Sequence, residues 1–383
     1  MHVGKSDEHC PKLTIDSWKV KNVRSIKTSQ YEICDEVGDT VEIKDSEHER
    51  YLGDEILATG RNDVNIAKRK EKGYKIINQI KTLLQNGFYG RYYFKVAVLL
   101  RSSLFLNSVL LNSEAWNNVS KKDVHELTII DNAMVRSIWG CPAYTSVPMM
   151  FLELGIIPLK VILMQRRMMY LHYILQQKEE SLLAQCFQAQ VKEQLKGDHI
   201  MQIQDDLKSL NIQLTFTQIK QMTKEAFSKM LKEKIKAYAF KILMYEKSCQ
   251  RKCGNVEYEN LEIQEYLSHD SLTMQQKKLL FQLRSSSCPV FMNITFLVGE
   301  RLCPCCFQDY DTCGHQLLCK VINANTNMIA KGLISIEDIF SKDVDKQAQV
   351  TIMFEQSWKR RKILLKHIKE SSVFNIDNNY QPL

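Results

Sequence analysis

From Asn65 to Leu84 the chain reads NIAKRKEKGYKIINQIKTLL, and the period of its apolar residues decides the fold class. Ile76, Ile77, Ile80, Leu83 and Leu84 recur at the three- and four-residue steps of an α-helix and form one apolar stripe. Lys68, Lys72 and Lys75 fall on a separate, basic stripe of the same helix, which reads equally as a solvated face or as a set of phosphate contacts. Gly87 and Gly90 close the segment.

The helical period continues downstream. A second helix is expected from about Tyr92 to Leu111, and a third from the N-cap Ser120, with Asp123 in its first turn, to Trp139-Gly140. Pro148 and Pro158 sit where helices begin, which places a short helix over Met149–Leu154 and a longer one over Leu159–Gln176 whose Met164, Met168 and Met169 read as core filler. Shorter helices broken at Gly197 and around Asn211 are expected next, with Asp205 and Asp206 on an exposed helix start. An amphipathic helix over Leu272–Arg284 takes Ser271 as its cap, and short helices are expected over Val321–Ala330 and Ser335–Phe340. Ahead of all this, Leu13–Trp18, Tyr31–Cys34, Val41–Ile43 and Tyr51–Ile56 alternate as small strands, too few to form a stable domain alone.

With 383 residues, 44% hydrophobic, and only 14 glycines and 7 prolines, the chain can bury a sizeable core and favours helix. Its net charge of +8 suits a polyanionic partner only where the charge clusters. It clusters most densely near the end of the chain, where Lys359, Arg360, Arg361, Lys362, Lys366 and Lys369 share a helix expected from about Lys346 to Lys369. The greasiest stretches are too short and too charged to span a bilayer, and no secretory signal is apparent, so a cytoplasmic or nuclear, reducing setting without a membrane partner is expected.

Five of the twelve cysteines lie between residues 303 and 319. Cys303, Cys306, His315 and Cys319 follow the pattern C-x2-C-x8-H-x3-C, three soft thiolates and an imidazole within reach of one tetrahedral ion, for which zinc is the best match. The bland alternatives are buried small hydrophobes or a redox cluster, and Cys305 and Cys313 are spare candidates for ligation. A closed four-ligand site folds a loop and performs no chemistry, so no catalytic residue is assigned.

Tyr51-Leu52-Gly53-Asp54, Arg69-Lys70-Glu71-Lys72-Gly73, Tyr93-Phe94, Leu100-Arg101-Ser102-Ser103, Asn112-Ser113-Glu114-Ala115-Trp116, Leu152-Glu153-Leu154-Gly155, Leu283-Arg284-Ser285 and the cysteine-histidine finger follow one another in this order. The series resembles reverse transcriptases of non-LTR (LINE-like) retrotransposons. The resemblance implies that Tyr51, Leu52 and Gly53 correspond to a primer grip and that Lys68, Lys72 and Lys75 lie near the template and primer backbone. It implies that the finger contacts RNA or DNA. The aromatic-x-Asp-Asp hairpin that holds metal in that family does not occur ahead of Tyr51, so the chain corresponds to the part after the palm, and the missing polymerase portion becomes a candidate partner.

The expectation is thus a mostly α protein. It comprises a β region at 1–60 resembling a palm edge, a helical thumb and linker at 61–285, a zinc knuckle at 286–331 and a basic helical tail at 332–383. It is expected to bind RNA or DNA through Lys68, Lys72, Lys75, Lys359, Arg360, Arg361 and Lys362 without catalysing synthesis. A helical interaction protein with no nucleic-acid affinity is the competing expectation.

Overall fold

The computed structural model describes residues 62–87, 90–116, 119–194, 198–250, 256–288, 290, 302–323 and 335–370, with four short strands ahead of them. The chain is mostly helical. Helix α1 (Asp63–Asn86) buries Ile66, Ile76, Ile77, Ile80 and Leu84 on α3 (Lys121–Trp139), whereas Leu83 is exposed. Gly73 makes this contact close, because a Cβ there would lie 2.5 Å from the Ile130 side chain.

Helix α2 (Tyr93–Leu100) does not run unbroken to Leu111. It passes through a π-helical stretch, Arg101–Leu106, into Asn107–Val109. Arg101, the first residue of that stretch, is buried. Its guanidinium forks onto Asp131 of α3 at 2.9 and 2.8 Å and also donates to the Ile157 carbonyl. Asp131 in turn accepts from the Leu159 N–H at the start of α5 (Leu159–Leu175), so one ion pair ties three helices.

Local signals set the next boundaries. Ser120 and Asp123 form a reciprocal capping box, and Gly140 ends α3 in the left-handed conformation. Ser146 caps α4 (Val147–Leu154), with Pro148 in its first turn. Gly155, at φ +62, ends α4 where the backbone of Glu262 and Ile263 passes so close that a Cβ would sit 2.3 Å from it. Met164 and Met168 are buried as core filler.

Two helices, α6 (Leu182–Glu193) and α7 (His199–Ser209), and a short α8 (Phe216–Gln221) precede α9 (Lys224–Ser248). At 25 residues α9 is far longer than the sequence pattern suggests. Its buried residues Phe227, Leu231, Ile235, Ala239 and Leu243 form a line at four-residue spacing against α4 and α5 that Lys247 continues, and Met230, Tyr238, Phe240, Ile242 and Met244 beside it are partly buried on the core. Asp206 is not on an exposed helix start. It lies inside α7, where Arg167 of α5 forks onto its carboxylate at 2.8 and 3.0 Å.

Helix α10 (Met274–Arg284) takes Thr273, not Ser271, as its cap. Its Phe281 stacks on Trp139 at 3.9 Å, and Trp139 meets Phe94 at 4.9 Å, which joins α2, α3 and α10. A short α11 (Cys313–Leu318), a 3-10 turn (Ile336–Phe340) and the 27-residue α12 (Val344–Glu370) complete the helices. One apolar core runs from Ile66 to Phe354, so the last helix shares the core of the first. Among the described residues no single helix is long and apolar enough to cross a membrane.

The strands pair as β1 (Tyr31–Cys34) with β2 (Thr40–Ile43) and β3 (His48–Tyr51) with β4 (Asp54–Leu57), both antiparallel. Their side chains lie outside the described residues, as do Leu13–Trp18, Leu52 and Gly53 and most of the expected helix over Val321–Ala330. The described part of that last segment, through Asn323, is a turn.

Candidate metal centre

The loop from Leu302 to Tyr310 is closed by an antiparallel bridge between those two residues. Within it the Cys303 N–H donates to the Asp309 carbonyl at 2.7 Å, and the Phe307 N–H donates to the Cys303 carbonyl at 2.8 Å. Phe307 takes a left-handed backbone, φ +58, which reverses the chain just after Cys306. This tight turn brings Cys303 and Cys306 together. Thr312 then caps α11 by accepting from the His315 N–H, and the Cys319 N–H donates to the His315 carbonyl, so His315 and Cys319 follow one turn apart.

The ligand atoms of Cys303, Cys306, His315 and Cys319 lie within 4.8 Å of one another. A tetrahedral shell with metal–sulfur bonds of about 2.3 Å has edges of roughly 3.8 Å, so the donors need close by only about 1 Å to hold an ion. Cys303 and Cys319 are buried, and Cys306 and His315 are half-buried. His315 presents Nε2 to Cys306 Sγ at 3.3 Å, while its Nδ1 faces the Asp309 carboxylate at 3.5 Å. That is the arrangement in which an outer carboxylate orients a metal-binding imidazole. Asp309 was not among the residues singled out from sequence, although a carboxylate between the ligand pairs is a usable signal.

The two spare cysteines have other roles. A hydrogen bond from the Cys305 thiol is the largest influence on Cys303, and with the N–H groups of Cys305 and Cys306 and His315 it pushes that thiol down to about 4 against the effect of burial. Cys305 is pushed up by the same contact. Cys319 is pushed up to about 11, chiefly by burial. Cys313 turns instead toward Cys288, which is buried and raised well above the ordinary thiol range. The group of four whose ligand atoms lie close enough to share an ion is the one expected from the spacing.

The last helix holds this knuckle through a buried polar contact. Arg361, 1% exposed, forks onto Asp311, 0% exposed, with Nη2 to Oδ2 at 2.8 Å. Gln316 also donates to Asp311. Ser357 donates to Asn323 Oδ1 at 2.7 Å, and Asn323 donates to the carbonyls of Gln316 and Leu317. Trp358 lies under the Arg361 guanidinium at 5.0 Å, and Leu364 packs against the small cluster of Cys303, Cys319 and Ile322.

Arg361, expected among the phosphate contacts, is instead buried, with its charge paired to Asp311 inside the protein. Of the other basic candidates, Arg360 and Lys362 are exposed, and Lys359 is exposed but pairs with Glu355 at 2.7 Å. On α1, Lys68, Lys72 and Lys75 are all exposed, and Lys75 pairs with Glu71 at 2.6 Å. The two basic stripes ride on different neighbours, α1 on α2 and α3, and α12 on α10 and the knuckle. Tyr51, Leu52 and Gly53 lie where side chains are not described.

Several motifs in the ordered series serve the scaffold. Glu153, fully buried, accepts from Arg284 Nε at 2.8 Å and from the Tyr258 hydroxyl at 2.7 Å, which joins two motifs 131 residues apart. Arg284 also donates to the Ile339 carbonyl. Arg69 is buried and donates to the Ser108 carbonyl at 3.3 Å, and the Tyr93 hydroxyl donates to the Ile138 carbonyl. These residues fasten the helices to one another. No protein-family model, curated protein or solved structure matches the chain.

Proposed function

We propose that the chain is a non-catalytic, nucleic-acid-binding portion of a non-LTR retrotransposon reverse transcriptase, with zinc held by Cys303, Cys306, His315 and Cys319. One observation carries this reading. The closed Cys3His group is fastened to a helix through Arg361, and the exposed cations Arg360 and Lys362 flank that attachment. The ordered motif series supplies the family, and the β region at 1–60 would be its palm edge with the grip at Tyr51, Leu52 and Gly53. Three thiolates and an imidazole favour zinc over harder ions, and four protein donors leave it no open position. The protein would work in the cytoplasm or nucleus, where free thiols remain reduced.

Binding would be driven by phosphate charge and would carry little sequence preference, because no base-reading code is apparent. Lys68, Lys72, Arg360 and Lys362 are exposed, and Lys75 and Lys359, also exposed, pair with Glu71 and Glu355. Asp205 and Asp206 do not supply a polymerase metal pair in this reading, since Asp206 is committed to Arg167.

Anisotropy titration of a labelled single-stranded RNA at two salt concentrations tests the reading, together with metal analysis of the purified chain. Expected are one zinc per chain and an affinity that falls with salt by about 0.7 decades per decade for each phosphate neutralised. Absence of binding at low ionic strength would favour the second reading, a helical interaction protein. That reading draws its support from the removal of Arg361 into the interior and from the pairing of Lys75 and Lys359 with glutamates.

A further inference from the structure

Two short turns far apart in sequence meet at a cleft of about 250 Å³ lined by Arg91, Tyr92, Lys95 and Ser268. One is the 3-10 turn Gly90–Tyr92 ahead of α2, which Gly90 enters with a left-handed φ of +47, and the other is the 3-10 turn Glu265–Ser268 ahead of α10. Both walls are anchored in the core. Tyr93 and Phe94 are buried directly after Arg91 and Tyr92, and Tyr266 and Leu267 are buried directly before Ser268. Lys95 lies in the first turn of α2.

The polar groups of the cleft are positioned but not used up. Arg91 is held at both ends of its guanidinium, with Nη1 donating to Asp270 at 2.7 Å and Nη2 donating to the Tyr92 hydroxyl at 2.8 Å. A guanidinium carries five N–H groups, so three of them remain for a ligand. Lys95 is exposed, and neither its ammonium nor the half-buried Ser268 hydroxyl has a hydrogen-bonding or ion-pair partner among the described residues. None of the four lining residues is acidic. Asp270 beside the cleft is paired with Arg91 and also interacts with the charge of Lys277 on α10, so three cations stand against one carboxylate.

These donors define the ligand. A fixed guanidinium, an ammonium and a hydroxyl supply only hydrogens, which suits an anion with several strong acceptor oxygens, and a phosphate group has three. The volume falls short of the roughly 300 Å³ at which pockets for whole small molecules begin, so the phosphate enters and the rest of its carrier stays outside, beside the exposed Tyr92 ring. The geometry points to a phosphate-binding cleft formed by Arg91, Lys95 and Ser268, with the phosphate carried by a nucleic-acid strand or by a free nucleotide. A strand as the source rests on the nucleic-acid reading above; the phosphate chemistry does not.

The test uses the zinc-loaded full chain. Labelled oligouridylate is titrated by anisotropy, and uridine 5′-monophosphate and inorganic phosphate are titrated by calorimetry, against the wild type, Arg91→Ala, Lys95→Ala and the control Lys232→Ala. Lys232 is an exposed lysine of α9 outside the cleft, and all three substituted positions are exposed, so the variants should keep the fold by circular dichroism. Binding should weaken on the order of tenfold in each cleft variant and should not change in Lys232→Ala. Loss that appears with oligouridylate, together with a salt slope reduced by about 0.7, assigns the phosphate to a strand. Loss that appears with the mononucleotide or inorganic phosphate, while oligouridylate does not bind the wild type, supports the cleft and overturns the nucleic-acid reading. Strand binding that is unchanged in both cleft variants, or that falls equally in Lys232→Ala, overturns the cleft and leaves that reading standing. A wild type that binds none of the three at low ionic strength overturns both.

Discussion

Arg360, Arg361 and Lys362 are adjacent in sequence and carry the same charge, yet substitution should separate them sharply. Arg361→Ala leaves the fully buried Asp311 without its arginine, whereas Arg360 and Lys362 are exposed. Breaking a buried ion pair by removing one partner costs about 3–5 kcal/mol, while surface substitutions stay within about 0.5 kcal/mol. The Arg361 ring contact with Trp358 is lost as well, which places the effect toward the upper part of that range. Urea unfolding of the zinc-loaded chain, followed by circular dichroism and by release of zinc to a chromophoric chelator, measures both consequences. Arg361→Ala should lower the midpoint and speed zinc release, and Arg360→Ala with Lys362→Ala should do neither. Replacing the pair by apolar residues, Arg361→Met with Asp311→Leu, should recover much of the loss, because it removes the stranded charge. A cost below about 1 kcal/mol for Arg361→Ala, or one equal to that of Arg360→Ala, would refute the reasoning.

Chelation of zinc should raise hydrogen exchange first in residues 303–310, because that turn packs on the small Cys303, Cys319 and Ile322 cluster, whereas Leu317 anchors α11 in the main core. The protein should also lose stability on acidification through His199. Burial, and then the Arg167 charge, push this imidazole down to about 4 from an ordinary 6.5, so the unfolded chain binds its proton first. The contribution is fully present above pH 6.5 and is lost as pH falls to about 4, a change of roughly 3 kcal/mol that His199→Phe should abolish in stability–pH profiles. Gly155→Ala and Gly140→Ala should differ although both residues have left-handed backbones. The first meets the Glu262–Ile263 backbone and the second has only the Lys278 ammonium at 3.6 Å, so thermal unfolding should show the first to be worse by at least about 2 kcal/mol.

Where the determinant was local, it could be read from the chain. The ends of α3 follow from Ser120, Asp123 and Gly140, all of which act within one turn of the helix they bound. The start of α4 is marked by Pro148 for the same reason, and Met164 and Met168 are the core filler that their spacing suggested. The four-residue group that can hold a metal was also legible, since its ligands fall within a seventeen-residue segment whose turns bring them together with little help. Short-range steric and hydrogen-bonding rules suffice for such features.

What charged side chains do was decided at longer range. Nothing near Arg361 in sequence distinguishes it from Arg360, and its burial depends on Asp311, 50 residues earlier, reaching the same side of α12. Asp206 likewise sits beside Asp205 but is claimed by Arg167, and Glu153 meets an arginine 131 residues away. Arg101 also finds its partner, Asp131, on another helix 30 residues away. Periodicity placed Leu83 on the apolar stripe of α1, yet no neighbour covers that flank enough to bury it. Propensity and capping act through adjacent residues, so the sequence alone determined a mostly helical chain and a candidate metal group. The pairing of buried charges requires helices to be packed, because the cost of leaving an ion without its partner is felt only once water has been excluded.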